Sequence, residues 1–194
     1  PNILTLLRLI AAPGVAIMFL YFHRPLADWF ALILFVVAAF TDFLDGYLAR
    51  AWKQESKFGA MMDPIADKAM VIIALVVITG FSGMNPWILL PAVLIIFREV
   101  FVSGLREFLG ETAGLLKVTN LAKWKTTVQM AAISVLFAKG AFEHYLIDRT
   151  NGDVLGLRTL ELGAEISWYL GIGLLWIAMV LTVLSGADYF GKSL

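Results

Sequence analysis

Four aspartates lie within or directly beside long apolar runs, where a membrane protein rarely carries charge. They are Asp42, Asp45, Asp63 and Asp67. One carboxylate at the centre of a bilayer costs roughly 2.5–3.5 kcal/mol on insertion scales. Four that were ionised and unpaired would cost on the order of 10 kcal/mol. The fold must therefore compensate these charges, and divalent metal ions would do so most simply.

Composition identifies the class of protein. The 194 residues are 60% hydrophobic and 15% charged, and their mean hydropathy is +0.84. Soluble domains carry about 45–50% apolar and about 25% charged residues, so we expect an integral membrane protein. The formal net charge is zero, so charge identifies no partner, and we expect no nucleic acid among them. Because the sequence opens on Pro1 rather than methionine, we expect a short preceding segment.

Apolar runs separated by polar breaks predict the fold. A membrane-spanning helix needs about 20 apolar residues. We therefore predict an all-α bundle of six transmembrane helices, with residues 1–194 forming one domain. The predicted helices cover residues 3–22, 27–49, 59–81, 86–108, 121–142 and 163–186. The longest predicted break is the polar stretch from Glu143 to Glu161.

Basic residues in the short loops predict the orientation, because such residues stay on the cytoplasmic side. The loops after the second and fourth predicted helices, with their flanks, carry Arg50, Lys53, Lys57, Arg106, Lys117, Lys123 and Lys125. The loop after the first helix has only Arg24, and the loop after the third has no charge. We therefore expect both termini and the aspartates at the cytoplasmic side.

The spacing of the aspartates predicts a metal site. Asp42 and Asp45 are three residues apart on the second predicted helix, and Asp63 and Asp67 are four apart on the third. Each pair shares a helix face, and the short loop between the helices makes them antiparallel neighbours. Four converging carboxylates would suit Mg²⁺ or Mn²⁺, and two ions are expected. Paired acids in a membrane also occur in cation-coupled transporters, which remain an alternative.

Small and basic residues beside the aspartates fit a phosphate-bearing ligand. Gly46 and Gly59 leave room for a ligand to approach the backbone. Arg50 is placed to meet phosphate. These features favour displacement chemistry at phosphorus over a simple ion site.

The complete pattern D-x2-D-G-x2-A-R-x8-G-x3-D-x3-D, which runs from Asp42 to Asp67, resembles the signature of the CDP-alcohol phosphatidyltransferases. This resemblance implies a metal-dependent, six-helix membrane enzyme that is usually a homodimer. Members transfer a phosphatidyl group from CDP-diacylglycerol to an alcohol and release CMP. Gly163, Gly171 and Gly173 would allow close helix packing, either across a dimer or within one chain.

The resemblance also implies roles for individual residues. Asp42, Asp45 and Asp63 would bind the metals. Asp67 would complete the metal site and act as the base that deprotonates the acceptor hydroxyl. Gly46 and Arg50 would contact the CDP group of the donor, and Ser56 would make a weaker contact with it.

A second group of charges bears on the acceptor alcohol. Arg98 and Arg106 are eight residues apart, about two helical turns, and so share a helix face. Lys123 and Lys125 open the fifth predicted helix. Cations gathered beside the aspartates would suit a phosphorylated acceptor. The alternatives are that the lysines only mark the cytoplasmic side, and that Arg98 only forms an ion pair with Glu99 or Asp63.

Three segments narrow the resemblance within the family. Residues 2–8, 98–107 and 123–130 are similar to those of bacterial phosphatidylglycerophosphate synthases, which act in phospholipid biosynthesis at the inner membrane, facing the cytoplasm. This implies sn-glycerol 3-phosphate as the acceptor, held by Arg98, Arg106, Lys123 and Lys125. Asn2 and Thr5 would lie near the nucleotide of CDP-diacylglycerol. Inositol phosphate or serine as acceptor remains an alternative.

Overall fold

Six helices account for the secondary structure of the described part of the chain. The structure is a computed structural model. It describes the backbone of residues 2–52, 57–110, 120–148 and 154–193, and the side chains of residues 5–38, 40, 61–110, 124–146 and 157–191. The helices are α1 (Asn2–Tyr21), α2 (Leu26–Trp52), α3 (Lys57–Phe81), α4 (Pro86–Leu109), α5 (Asn120–Asp148) and α6 (Val154–Ser193). The all-α prediction is therefore confirmed for these residues.

The predicted break between the fifth and sixth helices is wrong over most of its length. Helix α5 continues to Asp148, and α6 already begins at Val154. One reason is visible at the start of the stretch, where Lys139 and Glu143 form a 2.7 Å ion pair one helical turn apart. Polar residues end an apolar run, but they do not prevent a helix from continuing, because its backbone hydrogen bonds are internal.

Membrane-spanning length can be judged for the described helices. Three of them contain segments long and apolar enough to cross a bilayer: Met61–Phe81, Pro86–Leu109 and Leu157–Gly191. Two shorter apolar helical segments, Thr5–Tyr21 and Leu26–Ala38, accompany them. The chain is thus a helical membrane protein, and the crossing of all six helices remains a prediction.

An aromatic cluster lies at the centre of the buried core. The ring of Phe137 on α5 lies 5.6 Å from that of Phe19 on α1 and 5.7 Å from that of Phe35 on α2, measured between centroids. Small buried residues let the helix backbones approach each other around this cluster. They include Ala12, Ala27, Ala31, Ala74, Ala132 and Ala178.

Glycines on α6 bring that helix close to α5. A β-carbon at Gly171 would lie 2.7 Å from the Leu136 side chain, and one at Gly163 would lie 3.2 Å from Phe142. At Gly173 no described atom lies within 4 Å of that position. Two of the three glycines singled out in the sequence therefore serve packing within one chain.

Cross-helix contacts place the polar residues of five helices at one end of the bundle. Helix α1 packs on α3 near their N-termini, and α6 packs on both α4 and α5. Helix α4 begins at an Asn85 cap, whose side-chain oxygen accepts from the Trp87 amide at 2.9 Å. It carries Arg98 and Arg106 in its C-terminal half, where they line one cavity with Asp67 of α3 and Lys125 of α5.

Candidate active site

Asp63 and Asp67 face the first helix, which supplies partners for both carboxylates. Arg8 donates from Nη1 to Asp67 Oδ1 at 3.0 Å, and its Nη2 lies 3.6 Å from Asp63 Oδ1. The hydroxyl of Thr5 also donates to Asp63 Oδ1. One turn of α1 therefore holds two carboxylates that lie one turn apart on α3. We call Asp63 and Asp67 the acid pair.

The acid pair is accessible, whereas its basic partner is not. The side chains of Asp63 and Asp67 are 47% and 38% exposed, and that of Arg8 is 6% exposed. Exposed carboxylate oxygens are the ligands that Mg²⁺ and Mn²⁺ prefer. Arg8 contacts the acid pair from its buried side, and both carboxylates keep solvent-accessible surface. This arrangement fits a divalent cation.

Several predicted site residues lie outside the described side chains. They are Asn2, Asp42, Asp45, Gly46, Arg50, Ser56 and Lys123. Among the side chains that are described, no group of three acidic or histidine ligands occurs. The four-carboxylate metal site therefore stays a prediction, of which the structure describes the half on α3.

A cavity of about 190 Å³ adjoins the acid pair. Its charged lining consists of Asp67, Lys68, Arg98, Glu99, Arg106 and Lys125. We call it the cation cavity. The three described residues predicted to hold the acceptor phosphate all line it, although they come from two helices. Asp67 belongs both to the acid pair and to this lining, so the proposed base and the cations face one space.

Glu99 is the buried carboxylate of the cation cavity. It is 5% exposed, accepts a hydrogen bond from Lys125 Nζ at Oε1, and lies with the same atom 3.6 Å from Arg98 Nη1. The ion pair between Arg98 and Glu99, considered as an alternative from the sequence, is therefore present. It does not remove Arg98 from the cavity. Asp63, the other partner considered for Arg98, contacts Arg8 and Thr5 instead.

Positive charge in the cation cavity exceeds what its carboxylates neutralise. Lys68 Nζ donates to the Ser103 hydroxyl at 2.5 Å, and the Arg106 guanidinium lies over the Tyr189 ring. Neither Lys68 nor Arg106 forms an ion pair with a described residue. A surplus of cations around a cavity favours an anionic ligand.

Two of these residues were not assigned a role from the sequence. Lys68 directly follows Asp67 in an apolar run, and Arg8 is the only charge in the first apolar run. A cation inside such a run is rare and normally has a buried partner. That rule applied to Arg8 would have indicated an acidic residue facing α1.

Comparison with known proteins agrees with the geometry. The family model described as CDP-alcohol phosphatidyltransferase matches residues 1–184. The chain belongs to the CDP-alcohol phosphatidyltransferase family. The resemblance seen in the aspartate pattern is thus confirmed. In this family member, the acid pair is the second half of the signature and the cation cavity lies beside it.

Three curated relatives carry the same name, CDP-diacylglycerol–glycerol-3-phosphate 3-phosphatidyltransferase. The protein of Cereibacter sphaeroides is 62% identical, over 100% of this chain and 95% of its own length. That of Rickettsia bellii is 40% identical, over 98% and 92% of the two chains. That of Shigella flexneri is 37% identical, over 100% and 93%. The similarity to these phosphatidyltransferases thus extends beyond the signature to the whole chain.

Proposed function

We propose that this phosphatidyltransferase transfers the phosphatidyl group of CDP-diacylglycerol to sn-glycerol 3-phosphate. The products are phosphatidylglycerol phosphate and CMP. The observation that carries the proposal is that Asp67 faces the cation cavity, which places a carboxylate beside a site for an anionic acceptor. The 62% identity to a relative of that name, over the full length of this chain, supports the same acceptor.

The reaction requires one proton transfer and one displacement at phosphorus. The acceptor hydroxyl oxygen attacks the phosphorus that carries diacylglycerol, and a new P–O bond forms. The bond from that phosphorus to the CMP oxygen breaks, and CMP leaves with the electron pair. The hydroxyl proton passes to Asp67. A carboxylate within hydrogen-bonding reach is a suitable base for this step.

Arg8 orients the base for its role. Its Nη1 donates to Asp67 Oδ1 at 3.0 Å, which fixes the direction of the carboxylate. Because Arg8 is itself buried, this contact holds the carboxylate at the edge of the cation cavity. A base held in one orientation avoids the cost of ordering it during the reaction.

Asp42, Asp45, Asp63 and Asp67 would hold Mg²⁺ or Mn²⁺, with two ions expected. The accessible carboxylate oxygens of the acid pair support this assignment. When bound, such ions neutralise phosphate oxygens and stabilise the leaving group.

The CDP group of the donor would contact Asn2, Thr5, Gly46, Arg50 and Ser56. The hydrogen bond that Thr5 donates to Asp63 supports its assignment.

The cation cavity would hold the phosphate of the acceptor. Arg98, Arg106 and Lys125 line it, and Lys68 adds a fourth cation. Phosphate bound by several guanidinium and ammonium groups forms strong charge-assisted hydrogen bonds. Serine has no phosphate, and its one carboxylate is balanced by its own ammonium group, so it would bring no net negative charge to these cations. The cavity therefore favours a phosphorylated alcohol.

The proposed setting is the bacterial inner membrane, with the site open to the cytoplasm. Three apolar helices support the membrane location. An enzyme in the membrane can also reach its lipid donor, CDP-diacylglycerol, among the membrane lipids. The basic residues that the sequence carries before α3 and after α4 support the cytoplasmic side. We further propose a homodimer, as the family resemblance implies.

The test is CMP release from CDP-diacylglycerol by the purified enzyme in detergent, with Mg²⁺ or Mn²⁺. Glycerol 3-phosphate, inositol phosphate, serine and no acceptor are compared. We expect release with glycerol 3-phosphate only, and none after chelation of the metal. Release with serine but not with glycerol 3-phosphate would contradict the assignment of the cation cavity.

A further inference from the structure

The last turns of α6 lie directly behind the two arginines of the cation cavity. Ser185 and Gly186 contact Arg98, and Tyr189, one turn later, contacts Arg106. Successive turns of α6 thus meet two arginines of α4 that are two turns apart. None of these three α6 residues lines the cavity itself.

Both terminal nitrogens of the Arg98 guanidinium have partners, and Nη1 lies 3.6 Å from Glu99 Oε1. Arg98 Nη2 donates to Ser185 Oγ at 3.0 Å. Ser185 in turn donates to the Thr182 carbonyl at 3.0 Å, so its lone pairs remain available to Arg98. The Ser185 hydroxyl therefore acts as an acceptor of fixed direction for one nitrogen of the guanidinium.

Gly186 provides the space in which the Arg98 side chain lies. A β-carbon at this position would be 3.0 Å from Arg98 Cγ and 3.2 Å from Nε. Carbon atoms at optimal van der Waals separation are about 3.5–4.0 Å apart, so Arg98 would have to move. An alanine at position 186 would therefore displace the Arg98 side chain from its present place by a few tenths of an ångström.

Arg106 rests on an aromatic face. Its Cζ lies 5.2 Å from the centroid of the Tyr189 ring, within the range of a cation–π interaction. This contact directs the guanidinium without neutralising it. Among the described residues no carboxylate forms an ion pair with Arg106, so its charge and its hydrogen-bond donors can serve a ligand.

Support of this kind matters because arginine side chains are flexible. A free arginine loses rotamer entropy when it binds phosphate, and this loss weakens binding. A guanidinium that is already held loses less. The α6 contacts therefore act on affinity for the anion rather than on the chemical step.

We propose that Ser185, Gly186 and Tyr189 are positioning residues that set the affinity of the enzyme for the phosphate of its acceptor. This inference rests on the proposed function, in which the cation cavity holds that phosphate. Helix α6 is then part of acceptor recognition and not only of the bundle.

The first test is Gly186→Ala, with Gly191→Ala on the same helix as the matched control, because a β-carbon at Gly191 meets no described atom within 4 Å. We expect Gly186→Ala to raise the KM for glycerol 3-phosphate about fivefold to tenfold, the size of effect that follows loss of one typical hydrogen bond. The KM for CDP-diacylglycerol and kcat should stay within about twofold, since only acceptor binding is altered.

Two further variants keep the test valid if Gly186→Ala does not fold. Ser185→Ala removes the Arg98 partner, and Tyr189→Leu removes the ring under Arg106. Both should raise the KM for glycerol 3-phosphate and leave the KM for CDP-diacylglycerol unchanged. Tyr189→Phe retains the ring, so its KM should lie much closer to wild type than that of Tyr189→Leu.

Arg98→Gln, measured in parallel, distinguishes an error in the proposed function of the cation cavity from an error in the positioning role of α6. If Arg98→Gln leaves the KM for glycerol 3-phosphate unchanged, the cation cavity does not hold the acceptor and the proposed function of the cavity is wrong. If Arg98→Gln raises that KM but the α6 variants behave like Gly191→Ala, only the positioning role is overturned. Equal increases in both KM values would likewise overturn it, because they would indicate a general structural effect.

Discussion

The two ends of the bundle each contain a partly buried ion pair, but they use charge differently. At the end where α1 gives way to α2, Arg24 donates to both carboxylate oxygens of Asp28, at 2.7 and 2.6 Å. Asp28 is 1% exposed, and the guanidinium lies over the rings of Phe19 and Phe81. We call Arg24 and Asp28 the distal pair.

The distal pair is matched one to one. The hydrogen bond to Asp28 raises the pKa of Arg24 above its ordinary value. At the other end, the cation cavity has four basic side chains around one fully buried carboxylate, Glu99, and the shared Asp67. The comparison shows that a buried charge does not by itself identify a binding site. A binding site is indicated by charged side chains that line a cavity and outnumber the opposite charges around them.

The largest expected effect is the loss of turnover in Asp67→Asn. The amide cannot accept the hydroxyl proton, and removal of a general base typically lowers the rate by about 10²–10⁴-fold. Binding of CDP-diacylglycerol and the folded state should be retained, because Arg8 keeps Asp63 as a second carboxylate partner. CMP release and a binding assay measure these properties. Wild-type turnover in this variant would contradict the assignment of Asp67 as the base.

The corresponding substitution at the opposite end, Asp28→Asn, should destabilise the fold and leave the chemistry intact. Removing the carboxylate leaves the Arg24 guanidinium without its partner, which costs about 3 kcal/mol, the lower end of the range for buried pairs, because Arg24 is 29% exposed. Unfolding in detergent measures this loss. The KM for glycerol 3-phosphate of the molecules that stay folded should equal that of the wild type. A raised KM with unchanged stability would mean that the distal pair belongs to a substrate site.

Arg106→Gln should raise the KM for glycerol 3-phosphate about tenfold to a hundredfold, since a hydrogen bond to a charged group contributes about 1.5–3 kcal/mol and each 1.4 kcal/mol is about tenfold. The KM for CDP-diacylglycerol should not change. Arg158→Gln is the control, because Arg158 is also an exposed arginine but lies near the start of α6. The same increase in both variants would show that the effect comes from general surface charge.

Gly140→Ala should give the smallest effect, a loss of about 1–3 kcal/mol in stability, as is typical when a methyl group is inserted into a packed site. A β-carbon at Gly140 would collide with Asp28 Oδ1 and Arg24 Nη2. The thermal midpoint should fall while both KM values stay constant. Gly186→Ala, at the other end, should do the reverse and raise the KM for glycerol 3-phosphate. If both glycine variants changed only stability, the functional distinction between the two ends would be lost.

Local patterns in the sequence predicted most of the helices. The start of α4 coincides with the prediction because Asn85 and Pro86 form a capping signal that needs no tertiary contact. The predicted break from Glu143 to Glu161 was wrong because polar residues indicate where a chain leaves the membrane and do not indicate where a helix ends. Helix α5 continues through this boundary to Asp148.

The candidate site was predictable where its residues lie on one helix or in the family pattern. Spacing alone placed Arg98 and Arg106 on one face of α4, and both line the cation cavity. The contacts of Arg8 with the acid pair and of Arg98 with Ser185 join residues far apart in the chain. Helical periodicity carries no information about which faces of distant helices meet, so these contacts required the structure.

The most direct test of the comparison between the two ends is an experimental structure of the enzyme with Mn²⁺ and glycerol 3-phosphate. We expect anomalous scattering from manganese beside Asp63 and Asp67, and the acceptor phosphate in the cation cavity, within hydrogen-bonding distance of Arg98, Arg106 or Lys125. Phosphate bound beside Arg24 at the opposite end, with the cation cavity empty, would contradict the account.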